Sequence, residues 1–518
     1  MWDNFIADRV FDYDIVTGYK KPDKPDLVYF ENAELAIDML YKHIMGRKSI
    51  AIHCDVDMDG VGSGYILKRF LETQGAISRT GFIINGSKEH GINEKHVKYT
   101  YNNSNLGLFI ILDSSSNELE YIKGMNCDVL VVDHHELSHR ELFGDTAGGK
   151  YVIINNTIGS NEYEADKNMS CGLVTYELLR LYEEDMCIDP VIEPMRLYQW
   201  AGITLLSDVI SLNNPRNQWY IDNTLLNQYM EIGLQSILNQ VNPYRSVLDK
   251  NMVLYSIVPL VNVAIRTGNS AEALDIILNK PKDILNLSKY RDIQIEIVNN
   301  EISNLCHGDS YVLVTLDNSK YANYTGLIAS KLCGQFNKNC AVFILEDGIA
   351  KGSFRGRLLG IDYRRCFEEY GDGVFAQGHR TAFGFQVDEN RLEDIMGSLT
   401  NIENKYKLEN YLTMGDTDDK YKGRYHIDDM DDFKRRGLLW RLAIANSRLS
   451  SEEIITIVLL NNDKCRLVER YDKLRIYEVE GVRCLCFDSL VTNWVELYPE
   501  YGSDGIKVYI RNKYNLEG

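Results

Sequence analysis

The chain has 518 residues, 45% apolar and 25% charged, enough for three or four domains with ordinary globular cores. A net charge of −19 argues against a general polyanion binder, and no apolar run approaches the roughly 20 residues that a membrane-spanning helix needs. Eleven scattered cysteines without a Cys-x-x-Cys pair argue against a zinc ribbon or thioredoxin motif and read as reduced thiols of a cytoplasmic protein.

In chain order, Met1-Trp2-Asp3-Asn4 lacks the basic-then-apolar pattern of a secretory signal. Residues 1–47 read as an N-terminal cap with one helix near 33–44. From Ser49, apolar strands alternate with amphipathic helices, which predicts an α/β fold with a mainly parallel sheet. Strands are expected at 49–55, 108–113, 129–133 and 150–155, and helices at 61–74, 171–184 and 196–206. This first domain is placed at 48–250. A helical connector follows at 251–305, its later part interrupted by Pro281. A second α/β lobe is expected at 306–413, with strands at 311–316 and 341–345 and a helix at 326–336. The acidic stretch 414–419 reads as a linker, and 420–518 as a β-rich domain with runs at 454–460 and 474–479.

Chemistry concentrates where strands end. In His53-Cys54-Asp55-Val56-Asp57-Met58-Asp59-Gly60, alternation puts His53, Asp55 and Asp57 on one face of a strand. Three such groups together repel one another unless a cation balances them. Asp59, just before Gly60, reads as a helix N-cap. Two further apolar strands run into Asp113 and into Asp133-His134-His135. Open parallel sheets collect ligands outside the carboxyl ends of their strands, so His53, Asp55, Asp57, Asp113 and His134 are expected at one edge. Mixed carboxylate and imidazole ligands suit Mn²⁺, and Mg²⁺ less well. The ligands are too many for one ion. Two divalent ions, one activating water and one stabilising the departing oxygen, would serve displacement at phosphorus. Asp208, in Ser207-Asp208-Val209, has no role on these grounds alone.

These motifs, in this order, resemble the DHH phosphoesterases, over about residues 48–390, and within them the RecJ-type single-strand-specific exonucleases. The resemblance implies that Asp208 is a sixth metal ligand. It groups His53 and Asp55 on one ion and Asp57, His134 and Asp208 on the other, with Asp113 bridging. Asp133 would orient a ligand, and His135 would face the phosphate. His90-Gly91-Ile92-Asn93 resembles a glycine-containing turn of the RecJ type. Asn262 and Arg266, then Ser353 and Arg355, then Gly378, His379 and Arg380 lie in stretches similar to its substrate-binding segments, although Ile265 and Gln377 replace glycines there. Gly352, Gly378 and Gly384 allow close approach to a ligand, and Ser353, Arg355, His379 and Arg380 can donate to phosphate.

The function implied is an exonuclease acting on single-stranded DNA, 5′ to 3′, in repair and recombination, with a single-strand-binding protein or helicase as partner and no membrane. The C-terminal domain would then be an oligonucleotide-binding (OB-like) barrel with Tyr471, Tyr477 and Phe487 stacking bases. Two alternatives are a phosphodiesterase of short oligonucleotides or cyclic dinucleotides, and an inactive DNA-binding replication scaffold.

Overall fold

The computed structural model describes residues 22–412, apart from 87–88, 158–167, 213, 226, 245, 304–310, 317–318, 337 and 359–360, and then seven strands between 424 and 513. Its chain divides into two compact units, residues 1–288 with 423–518, and residues 289–422. The expected linker at 414–419 and residues 1–21 of the cap lie outside the described residues.

The first unit is built on a six-stranded sheet of β1 (Ser49–Cys54), β2 (Thr80–Ile83), β3 (Leu106–Leu112), β4 (Asp128–Asp133), β5 (Phe143–Asp145) and β6 (Lys150–Asn155), in the order β2-β1-β3-β4-β6-β5. All pairings are parallel except β5 with β6. Every residue of β3 and β4 is buried, as expected of a parallel sheet covered on both faces. Each fully buried Leu, Ile or Val contributes about 1.5–3 kcal/mol of transfer free energy. The α/β class and parallel sheet match the alternation in the sequence. Short β2 and β5 were not anticipated.

Helices α1 (Ala33–Met45), α2 (Met58–Thr73), α3 (Glu94–Asn102), α4 (Leu119–Gly124), α5 (Cys171–Asp185), α6 (Tyr198–Ser207) and α7 (Pro215–Thr224) belong to this unit. They are followed by α8 (Ile232–Val241), α9 (Val258–Arg266) and α10 (Ser270–Asn279). Helices α2, α5 and α6 pack together through glycines. A Cβ on Gly62 would lie 2.5 Å from Thr204 Cγ2, and one on Gly172 would lie 2.3 Å from Thr204 Oγ1. A 3₁₀ turn at Pro281–Leu287 breaks the helical run beyond α10, where the proline was expected to interrupt it.

The chain steps from β1 outward to β2, then back past β1 to β3. The strand order therefore reverses at β1, and the crevice outside the carboxyl ends of β1 and β3 is a topological switch point. Two of the acid-bearing segments leave the sheet there.

The second unit opens in α11 (Ser288–Ser303) and holds a five-stranded sheet ordered β10-β11-β9-β8-β7. Its strands are β7 (Val312–Thr315), β8 (Cys340–Glu346), β9 (Ile349–Arg355), β10 (Phe375–His379) and β11 (Ala382–Asp388). Helices α12 (Thr325–Phe336), α13 (Tyr363–Glu368) and α14 (Glu389–Leu412) accompany it. Phe354, Phe367, Phe383 and Phe385 lie in one core cluster.

The C-terminal strands β12 (Arg424–Ile427), β13 (Thr456–Leu459), β14 (Cys465–Arg470), β15 (Arg475–Val479), β16 (Val482–Cys486), β17 (Val495–Gly502) and β18 (Gly505–Lys513) form one mostly antiparallel sheet. Its order is β12-β13-β17-β18-β16-β15-β14, seven strands where an OB barrel has five. Tyr477 is buried in this sheet, so the base-stacking role expected of it gives way to a core role. Tyr471 and Phe487 lie outside the described residues.

Candidate metal centre

Strand β1 ends at Cys54, and the chain turns into α2 within four residues. Asp55 is buried at the strand end, its Oδ1 accepting from Gly91 N at 3.0 Å and its Oδ2 lying 2.6 Å from His90 Nδ1. Asp57 is the N-cap of α2, where Oδ1 accepts from Asp59 N at 2.9 Å and Gly60 N at 3.1 Å. The capping role expected of Asp59 therefore belongs to Asp57. Asp59 instead turns inward from the first helical turn, where its oxygens accept from Cys171 N at 2.7 Å and Gly172 N at 2.8 Å at the start of α5. Gly60 permits this turn, because a Cβ there would lie 2.6 Å from Asp55 N.

Asp113 follows β3 with φ of 68°, a left-handed conformation that costs a non-glycine residue energy and recurs at functional sites. Val209, just after Asp208 at the end of α6, has φ of 54°, a genuine outlier for a β-branched residue. Asp133 closes β4. Its Oδ1 accepts from His134 N, His135 N and His135 Nδ1 at 2.7, 3.2 and 2.8 Å, and its Oδ2 accepts from Ser116 N at 3.1 Å.

The side chains converge. His134 Nε2 lies 3.3 Å from Asp113 Oδ1, 3.5 Å from Asp208 Oδ2 and 3.7 Å from Asp59 Oδ2. Three groups each bring their ligand atoms within 4.8 Å of one another: Asp55, Asp57 and Asp113; Asp59, His134 and Asp208; Asp113, His134 and His135. The resemblance grouped Asp57 with His134 and Asp208, but Asp59 stands with them here. His53 is in none of these groups. It is buried in β1 with neither ring nitrogen hydrogen-bonded, its ring set edge-on to His96 at 4.8 Å.

The electrostatics suit divalent cations. Burial pushes the Asp59 carboxyl up to about 7, against the pull of the His134 ring and with the repulsion of Asp208 and Asp57. Burial, then Asp59 and Asp57, hold Asp113 well above the usual carboxylate range. Asp113 Oδ1 and His134 Nε2 are buried without a hydrogen-bond partner. Burial, then the neighbouring His96, lowers the His53 ring to about 3, leaving a neutral imidazole of the kind that ligates metals. Unpaired buried acids are costly, and divalent cations would relieve that cost.

His135 has a different environment. Burial works to lower its ring, but the hydrogen bond and charge of Asp133 push it up to about 10. Burial likewise works against the Asp133 carboxylate, and the His135 ring outweighs it and holds the acid below its usual range.

Residues 49–197 match the family model described as the DHH family, N-terminal domain. Over that stretch the chain is similar to the DHH family. Its whole fold is RecJ-like. The crystal structure of Thermus thermophilus RecJ in complex with Mn²⁺ superposes with a TM-score of 0.66 at 18% identity, covering 96% of this chain and 74% of that one. The same protein in complex with Mg²⁺ gives a TM-score of 0.62 at 18% identity, covering 96% and 73%. In sequence, the chain is 22% identical over 405 residues to YorK, an SPβ prophage-derived protein of Bacillus subtilis strain 168 assigned provisionally as a single-strand DNA-specific exonuclease. That match covers 70% of this chain and 67% of YorK.

The remaining expected residues fall in both units. Asn262 and Arg266 share a face of α9, four residues apart, and Asn262 Oδ1 is buried without a hydrogen bond. In the second unit, Ser353 Oγ lies 3.0 Å from Thr325 Oγ1, and Arg355 Nε donates to Ser330 Oγ at 3.0 Å. Strand register aligns Arg355 with Ala382 and Ala382 with His379. Gly378 has φ of 131°, and Arg380 pairs with Asp362 at 3.4 Å.

The sequence reading missed Asp59 as a site residue and gave His90 no role. The signal for Asp59 was present: a third acid two residues after Asp57 sits on the opposite side of a turn once the strand becomes a helix.

Proposed function

We propose that the chain is a two-metal phosphodiesterase that degrades single-stranded DNA from an end, in the 5′ to 3′ direction. The observation that carries the reading is the convergence of His134 with Asp59, Asp113 and Asp208 beside the Asp55, Asp57 and Asp113 group. Asp57 and Asp113, with Asp55 and His53, would hold one ion. Asp59, His134 and Asp208 would hold the other, with Asp113 shared. Imidazole among the ligands favours Mn²⁺ over Mg²⁺. Two such ions supply charge neutralisation and a nucleophilic water for in-line displacement at phosphorus.

The chain's own groups do the rest. The carboxylate of Asp133 lies 2.8 Å from His135 Nδ1 and favours the charged form of that half-exposed ring, which can donate to a phosphate oxygen. Asn262 and Arg266 in the first unit, and Ser353, Arg355, Gly378, His379 and Arg380 in the second, are assigned to the phosphate backbone of the strand.

The test is hydrolysis in Mn²⁺ of an end-labelled single strand, the matching duplex and a dinucleotide. Mononucleotide release from the single strand is expected, and Asp113→Ala should abolish it and lower Mn²⁺ stoichiometry in calorimetry. Consumption of the dinucleotide with the strand untouched would favour a small-substrate enzyme. Full Mn²⁺ loading with no cleavage of any substrate would make the chain a binding scaffold.

A further inference from the structure

Two of the acids that meet at His134 do not stand at strand ends. Asp59 is held by the first N–H groups of α5, accepting from Cys171 N and Gly172 N, so its place depends on where α5 begins. Asp208 follows α6 in a loop whose next residue, Val209, has φ of 54°. A strained residue of this kind persists only where its surroundings over-determine it. Asp59 and Asp208 nonetheless bring oxygens towards the same ring nitrogen, His134 Nε2, at 3.7 and 3.5 Å.

Two joints tie the start of α5 to the loop after α6. The first is Thr204. Its Oγ1 lies 2.8 Å from the Oγ of Ser170, the N-cap of α5, and its carbonyl accepts from Asp208 N at 3.1 Å. The second is Asn217, fully buried in the first turn of α7. Its Nδ2 donates to Asn168 O, two residues before that N-cap, and to Ser211 O, three residues after Asp208, both at 2.7 Å. Two carbonyls facing one amide atom fix that atom as the nitrogen. Asn214 Oδ1 accepts from Asn217 N at 2.8 Å and seats the residue at the helix start. The Asn217 Oδ1 is buried without a hydrogen-bond partner, an unfavourable arrangement that leaves the clamp on the two carbonyls as what this side chain supplies.

We propose that Asn217 is a positioning residue of the metal centre: by holding Asn168 O and Ser211 O on one amide, it sets the separation of Asp59 and Asp208 and so the geometry of the ion they would share with His134. The inference rests on the two-metal reading above and assigns a residue outside both ligand groups to one of the two ions. Neither arm of the clamp touches a ligand, so the effect passes through the main chain. The alternative is a buried amide that secures packing alone.

The experiment is Mn²⁺ titration of the full chain by calorimetry, with thermal melts on the same samples. Asn217→Ala should weaken one of the two bound ions by about ten- to a hundredfold, the usual cost of losing a group that orients a ligand from outside, and leave the other unchanged. Combined with Asp59→Asn it should add little further loss, because both changes act on the same ion. Thr224→Ala is the control. It removes hydroxyl bonds to Tyr220 O and Gln199 O at the far end of α7, and should lower the melting temperature while binding both ions as wild type does. Should Asn217→Ala not fold, Asn217→Ser, which keeps one donor, is read in the same way with a smaller loss. Wild-type affinity for both ions in a folded Asn217 variant overturns the proposal, as does equal weakening of both ions or a loss fully additive with Asp59→Asn. A wild-type chain that binds a single ion would remove the two-metal reading and this inference with it, an outcome distinct from these.

Discussion

Asp59 shows how one residue changes meaning with its neighbours. On paper it precedes a glycine and a helix. In the fold it is buried beside His134 and Asp208, its acidity shifted by that burial. An acid whose folded pKa is raised binds its proton more tightly in the folded state than in the unfolded one. Its contribution is therefore fully present below the unfolded value of about 4 and is lost as pH rises through about 7. Metal-free protein should accordingly lose stability across that window. In chelator, raising the pH from 4 to 8 should lower the stability of wild type by a few kcal/mol, since each tenfold change in proton affinity is worth about 1.4 kcal/mol, and that of Asp59→Asn by less, whatever the amide costs at the Cys171 and Gly172 N–H groups. In Mn²⁺, Asp59→Asn should bind metal more than about a hundredfold more weakly, beyond the usual cost of losing a residue that only supports a ligand. Thermal melts with and without metal at the two pH values check both halves. An equal pH dependence of the two metal-free proteins would mean that Asp59 keeps its charge by another route.

At the scale of elements, the centre depends on helices that approach closely. Gly62 of α2 meets Thr204 of α6, and Gly64 meets Cys54 Sγ, at distances a Cβ cannot share. Gly62→Ala should cost about 1–3 kcal/mol by overpacking and lower the melting temperature, and Gly62→Ala with Thr204→Ser should recover part of it. A second joint ties α1 to the sheet. Asp128 at the start of β4 accepts from Lys42 Nζ at 2.6 Å and Lys150 N at 2.9 Å, and lies 2.8 Å from His43 Nε2. Burial works against its charge, but the bonds from His43 and Lys42 prevail and hold its carboxyl below the usual range. A depressed carboxylate stabilises the fold above its unfolded pKa and loses that contribution as pH falls towards its folded value. Asp128→Asn should therefore have a lower urea midpoint than wild type at pH 7, and the gap should close as pH drops below about 4. A gap independent of pH would place the loss in packing rather than charge.

For the molecule as a whole, the net charge of −19 stands against a polyanionic substrate. On the proposed reading, binding a strand depends on local cations, at the candidate metal centre and on the second unit. Removing one cation that meets a phosphate should reduce the slope of log affinity against log salt by about 0.7 on a single strand. Arg355→Ala and Arg380→Ala should each do so while leaving Mn²⁺ stoichiometry intact, and chelation should weaken wild-type binding far more than either. If metal binding fell while strand affinity held, these arginines would belong to the centre's support instead. Ser330 already fixes the direction of Arg355, so Ser330→Ala is expected to show a milder form of the same loss.

Strand-terminal acids were legible in the sequence because both signals are local. An apolar run such as Leu108–Leu112 or Val129–Val132 predicts a buried parallel strand, and the residue that follows it must emerge at the sheet edge. Hence Asp113, Asp133 and His134 could be read from the chain, and the alternation of strands and helices indicated the α/β class. Asp208 could not be read this way, since an acid ending a helix is commonplace, and only resemblance singled it out. The division of labour among Asp55, Asp57 and Asp59 was not legible either, because the strand ends at Cys54 and the period changes from two residues to 3.6 within that motif. Alternation placed Asp55 and Asp57 together, whereas the first turn of α2 sends Asp59 inward to His134 and makes Asp57 the cap. The pairing of His90 with Asp55, 35 residues apart, depends on a glycine turn and a buried amide network. Such contacts are decided by which loops meet over the sheet, and only the tertiary structure brings those loops together.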